Sequence, residues 1–150
     1  MIRVAGNDKD IRNMYLMQEI LTAPKEKLLL ITYRIAIGAC QRAVEAIEKK
    51  DHEEANHEIK TAQQAIRELR FALRTEEGGE WAEQLGRLYD FMYAHLVEAN
   101  VEKNSQKVQE IQRLLQELLS AWEEVFQKLE QENKVSVARE LVGGGLNISG

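Results

Sequence analysis

Residues 78–100 read GGEWAEQLGRLYDFMYAHLVEAN, and the rest of the chain is organised around this stretch. On a helix turning 100° per residue, Trp81, Leu85, Leu88, Met92, His95, Leu96 and Ala99 fall within about 50° of one line, the width of a core-facing stripe. Gly86, Tyr89, Tyr93, Val97 and Asn100 form a second stripe, roughly 80° to 160° further round the same helix. A two-layer helical bundle needs only the first stripe. The second asks for a partner.

Working outward, the composition suits one domain. The chain has 150 residues, 44% hydrophobic and 30% charged, with a single proline, so long uninterrupted helices are allowed. A formal net charge of −5 and a pI near 5.3 argue against a nucleic-acid binder, because neutralising phosphates takes an excess of Lys and Arg on one face. The lone Cys40 cannot form an intrachain disulfide and falls on an apolar helical run, which predicts a buried free thiol in a reducing compartment. The longest apolar run, Leu28 to Thr32, is too short for a signal sequence or a membrane span, so a cytoplasmic location is expected.

N-terminal to the opening stretch, residues 1–10 carry Gly6, Asn7 and two Asp and read as a mobile arm. Residues 11–21 place Ile11, Met14, Tyr15, Gln18 and Leu21 at helical spacing over about three turns, too few to be stable in water alone. This segment is either a permanent part of the core or a cap that leaves a groove when a partner arrives. Thr22 and Pro24 open a long helix reaching about Lys50, whose first half, LLLITYRIAI, is apolar on nearly every side. Asp51 then caps a second helix, with Glu54 completing a capping box, and Ala55, Ile59, Ala62, Ile66, Leu69 and Leu73 recur at the four–three spacing of an antiparallel seam.

Thr75 to Gly79 makes the next turn. After Asn100, Asn104 is an N-cap for a last helix over about 105–131, whose seam is Val108, Ile111, Leu115, Leu118, Trp122, Val125 and Leu129. Residues 134–150, broken by Gly143 to Gly145, read as a tail that favours disorder over docking. The expected fold is all-α: residues 1–133 form an antiparallel up-down four-helix bundle with a short N-terminal helical cap segment, followed by a flexible C-terminal tail.

The search for chemistry is negative. His52 and His57 lie about 140° apart on a helix and cannot share a metal as an i,i+4 pair does. Glu54-x-x-His57 has the spacing of a di-iron bundle motif, but such a site needs a second copy, and the sequence holds none. His95 sits at the core edge as a structural histidine. There is no phosphate-binding glycine loop, GxSxG or CxxC. No enzyme, cofactor or metal is expected, and a ferritin-like metalloenzyme is the remote alternative.

These residues carry a family resemblance. EEGGEWAEQLGRLYDFMYAHLVEAN, a polar loop and LLQELLSAWEEVF are similar to the GGE, LYDYM, LxEAN and AW elements of the FliS family of flagellin export chaperones, at the same separations. Tyr15 seven residues before Thr22-Ala23, EKLLL at Glu26 to Leu30, and the Asp51 to Leu69 pattern extend the likeness from about Tyr15 to Phe126. The chain departs from the family where Thr-Ala-Ser-Pro becomes Thr22-Ala23-Pro24-Lys25, and where Leu-Tyr-Asp-Gly becomes Thr32-Tyr33-Arg34-Ile35. The resemblance implies a cytoplasmic chaperone that holds the disordered C-terminal segment of flagellin, prevents premature polymerisation and presents the complex to the flagellar type III export gate. A helical adaptor for a different export substrate is the alternative.

On that reading the partner grooves lie beside Tyr89, Tyr93, Val97 and Asn100 on the third helix and beside Leu28, Ile31 and Ile35 on the first. Met14 and Tyr15 cap one of them in the free protein, and a tyrosine at the place of Tyr15 is associated in the family with delivery to the gate. Trp81, Leu85, Leu88, Met92 and Ala99 are expected in the core.

Overall fold

The computed structural model describes residues 25–147, with side chains over 25–132 apart from Thr75. The arm at 1–10, the segment at 11–21 with Met14 and Tyr15, and the Thr22-Ala23-Pro24 break lie outside the described residues.

Every described element is a helix: α1 Lys25–Glu48, α2 His52–Ala72, α3 Thr75–Glu102 and α4 Ser105–Asn147. Each packs on its neighbours in the chain, and α4 closes the ring on α1. Cross-links fix the directions. Asn56 meets Asn100 while Arg70 meets Asp90, so α2 and α3 run antiparallel. His95 meets Glu110 while Trp81 meets Trp122, so α3 and α4 do too. This is the expected up-down four-helix bundle.

Two of the turns are built alike. α1 ends with Lys50 in the left-handed region (φ 62°), where the Lys50 and Asp51 amides donate to the Ile47 and Ala46 carbonyls. That is the Schellman arrangement, with lysine in the position usually given to glycine. Asp51 follows at once as N-cap of α2, its Oδ1 accepting from the Glu54 amide at 3.2 Å. Lys103 (φ 51°) and Asn104 repeat the device between α3 and α4, with Asn104 Oδ1 accepting from the Gln106 and Lys107 amides. The N-caps expected at Asp51 and Asn104 are in place. Between α2 and α3 the chain turns through Leu73 and Arg74, and α3 starts earlier than expected, with one turn at Thr75–Gly78 kinked from the rest by Gly79 (φ 61°, ψ −139°). Only glycine adopts that backbone without strain.

The core follows from small residues on α1 and α2. Ala36, Ala39, Cys40 and Ala43 face Ile59, Ala62, Ala65 and Ile66, and alanines at a helix contact allow close approach. Leu85, Met92, Leu96 and Ala99 of α3 and Val108, Ile111 and Leu115 of α4 complete it. The α4 seam loses its cover as it proceeds, Leu118 and Trp122 being half-buried and Val125 and Leu129 exposed. The helical backbone continues past the expected boundary at Gln131 to Asn147. Nothing at 132–142 stops it, because that stretch contains neither glycine nor proline.

Three assignments need correction. Trp81, expected in the core, is 57% exposed. It lies two residues beyond the Gly79 kink at the end of the bundle, where among the described residues it meets the edge of Trp122 (ring centroids 5.7 Å, 79°). Tyr89, expected on the partner face, is 1% exposed and belongs to the core. Its hydroxyl reaches across the bundle diagonal to share a hydrogen bond with the buried Tyr33 hydroxyl of α1, and the Trp122 Nε1–H of α4 donates to that same Tyr33 oxygen at 3.0 Å. An 80° displacement from the stripe centre still points inward when a polar partner waits there. Ile31, also placed on the partner side, is 3% exposed for a related reason: α1 is covered by α2 and by α4.

Candidate functional site

The second stripe of α3 does meet a cleft. Between α2 and α3, Ile66, Arg67, Arg70, Phe71, Tyr89, Asp90 and Tyr93 line an open cleft of about 380 Å³. The seam that buries α2 places Ile66 and Leu69 inward, and this turns Phe71 out to 83% exposure. Opposite it, the half-buried Tyr93 accepts a hydrogen bond from Arg67 Nη2 at 2.7 Å, and the guanidinium carbon of Arg67 lies 5.2 Å from the Tyr93 ring centre. Arg70 Nε donates to Asp90 Oδ1 at 3.1 Å. Ile66 and the side of Tyr89 form an apolar floor, with two guanidinium groups along the walls.

A second opening lies at the end of the bundle where α1 begins and α2 ends. Leu29, Leu69, Leu73, Trp81, Tyr89 and Trp122 line about 380 Å³ there. Beside it, Leu28, Leu29, Thr32, Glu68, Ala72 and Phe126 border a groove of about 470 Å³. Trp122 stacks toward Phe126 (5.6 Å, 31°), so an aromatic row runs along this end. Tyr89 lines both the cleft and the end opening.

The structure thus brings Tyr89 and Tyr93 together and leaves the other described candidates outside that cleft. Val97 is exposed one turn beyond Tyr93. Asn100 is half-buried, its Nδ2–H donating to Asn56 Oδ1 at 2.8 Å and its carbonyl accepting from Lys103 Nζ, which ties α3 to α2 and to the turn. Leu28 borders the end groove on α1. Ile35 is half-buried and packs on the core from outside, so filling that position adds to the bundle. The neighbouring Arg34 pairs with Glu123 of α4 at 2.9 Å, which gives the reversed charge a partner within the fold.

Several residues escaped the sequence reading. Phe71 had a visible signal, since a large apolar residue off the seam of an otherwise regular helix has nothing to bury it. Arg67 and Arg70 had none, because an arginine beside a groove and one on a solvated face look alike in sequence. His95 is held as expected of a structural histidine: its Nε2 is 2.8 Å from Glu110 Oε2 and its ring stacks on Phe91.

Among the described residues, no three His, Cys, Asp or Glu side chains gather where they could hold a metal ion. No described helix is long and apolar enough to cross a membrane. Burial pushes the Cys40 thiol up to about 12, and burial likewise raises the Tyr33 and Tyr89 hydroxyls above the usual phenol range. None of these groups is an activated nucleophile at neutral pH. What the described surface offers is partly apolar clefts, the α2–α3 one bordered by Arg67, Arg70 and Asp90.

Comparison with known proteins gives the same direction. Residues 7–129 match the family model described as flagellar protein FliS. The flagellar secretion chaperone FliS of Bacillus subtilis is 30% identical over 113 residues, covering 75% of this chain and 84% of the relative. The FliS of Campylobacter jejuni is 32% identical over 113 residues (75% and 88%), and the flagellar secretion chaperone FliSB of Pseudomonas aeruginosa is 31% identical over 115 (77% and 91%).

Proposed function

The chain belongs to the FliS family of flagellar export chaperones, and from that premise we propose that it binds the disordered C-terminal segment of flagellin in the cytoplasm, prevents its premature polymerisation and delivers it to the type III export gate. The observation that carries the reading is the α2–α3 cleft, an apolar floor with Phe71 and Tyr93 presented at its rim. A chain end that must not assemble early exposes an amphipathic face, and helix-in-groove contact covers such a face. Ordering the client would bury on the order of 1,000 to 3,000 Å² against a cost of several kcal/mol. Tyr93 and Val97 touch the client directly, Tyr89 supports it from the floor, and Leu28 serves the groove at the bundle end, with Ile35 and Asn100 at the margins. Ile31 acts only from beneath. Delivery falls to the segment carrying Met14 and Tyr15, outside the described residues. No cofactor takes part, and the chaperone is not an enzyme.

The test is titration of the purified protein with the flagellin C-terminal segment of its own organism, followed by calorimetry and by the gain of helical circular dichroism. One-to-one binding with added helix is expected. Tyr93→Asp should weaken binding tenfold or more, about 1.4 kcal/mol, with the free protein's helix content unchanged. If flagellin does not bind while another export substrate does, the client is a different one.

A further inference from the structure

The cleft carries an unbalanced charge. Among the described residues Arg70 is paired with Asp90, but Arg67 has no carboxylate: its contact is the neutral Tyr93 hydroxyl. Its helical neighbours at i−4, i−3, i+3 and i+4 are Gln63, Gln64, Arg70 and Phe71, so α2 cannot neutralise it. Two guanidinium groups and one carboxylate therefore border an apolar floor, in a protein whose formal net charge is −5. A local cationic edge on an acidic molecule is a selective feature, because the whole-molecule field favours cationic ligands.

The position of Arg70 is built into α3. A Cβ added to the buried Gly86 would lie 2.7 Å from Arg70 Nη1 and 2.8 Å from its guanidinium carbon. Glycine there lets the Arg70 side chain lie flat across the helix. The Arg70 guanidinium lies directly against Gly86, and a side chain at residue 86 would shift it from its place on the cleft wall.

We propose that the α2–α3 cleft selects its client helix by an acidic residue placed about one turn from the apolar anchor. The inference rests on the helix-in-groove reading above and adds the chemistry of the occupant. The anchor seats on Ile66 and Tyr89 between Phe71 and Tyr93. The carboxylate accepts hydrogen bonds from the Arg67 N–H groups that Tyr93 does not use, and a planar guanidinium suits it in the bidentate geometry.

The test uses the full chain and two synthetic helical peptides with the same leucine stripe, one flanked by glutamates and the other by lysines, measured by fluorescence anisotropy at about 50 mM salt, where exposed charges are weakly screened. The glutamate peptide should bind at least about tenfold tighter, against the pull of the molecule's net charge. Arg67→Glu should abolish the preference, Arg67→Gln should reduce it, and Gly86→Ala should reduce it without changing any charge, each with unaltered helical circular dichroism. Equal affinity for the two peptides, or equal weakening of both in Arg67→Glu, overturns the inference, as does discrimination that survives Arg67→Glu. Flagellin failing to bind while the glutamate preference persists would remove the client and leave the acidic selectivity standing.

Discussion

At the scale of single residues, the Tyr33–Tyr89–Trp122 chain has the largest consequences. α1 and α3 sit on the bundle diagonal with no close backbone approach, and the two hydroxyls span it. Removing the middle oxygen strands two partners, the buried Tyr89 hydroxyl and the half-buried Trp122 indole N–H. Tyr33→Phe should therefore cost about 1–3 kcal/mol in urea unfolding, more than the loss of one exposed hydrogen bond. The buried acids set the alkaline limit. The folded Cys40 thiol is raised from 9.0 to about 12, so the unfolded chain loses this proton first. The stability that Cys40 contributes is full below pH 9 and is lost as pH rises toward 12, with the two tyrosines adding to the loss above pH 10. Urea midpoints from pH 7 to 11 should be level and then decline, and Cys40→Ala should make the decline between pH 9 and 10 shallower.

At the scale of the element, the turns explain where helices stop. Lys50 is held at φ 62° without a glycine's freedom, and its side chain is exposed. The left-handed region costs a non-glycine residue about 1–2 kcal/mol, partly offset by the greater freedom a glycine has when unfolded. Lys50→Gly should stabilise the bundle by about 0.5–1 kcal/mol, read as a melting temperature higher by about 2–3 °C. Lys103 at the equivalent place is a poorer target, because its Nζ donates to the Asn100 carbonyl and side chain. Asp51 and Asn104 were legible as N-caps from their residue type and what followed them, since capping is a local matter. The Gly79 break was legible only as a turn signal. That one helical turn would precede it depends on how α2 delivers the chain.

At the scale of the whole molecule, the core and the proposed docking surface should separate under mutation. Leu115 is fully buried where α4 meets the core. Leu115→Asp places an unpaired charge there and should cost about 3–5 kcal/mol, seen as lost cooperative melting and lost helix signal. Tyr93→Asp, at the cleft rim, should melt within a few degrees of the parent while failing to hold the client. Equal effects of the two substitutions on melting would mean that the cleft is part of the core.

The sequence by itself determined the helices, their order and their antiparallel pairing, because a 3.6-residue apolar period, short connections and capping residues are local signals that cooperate. It also marked the Gly78 to Asn100 stretch as having one face too many, and Tyr93 with the exposed Val97 lie on that face. Tertiary structure decided which members of the stripe turn inward. Tyr89 is buried because Tyr33 and Trp122, 56 and 33 residues away in sequence, bring a hydroxyl and an indole N–H to the same core. Trp81 is exposed because the Gly79 kink sets it at an end of the bundle that the described helices do not cover. Arg67 and Arg70 edge the cleft because α2 meets α3 there, Arg67 against Tyr93 and Arg70 against Gly86 and Asp90. Periodicity counts angles on one helix, whereas burial depends on what the other three place opposite.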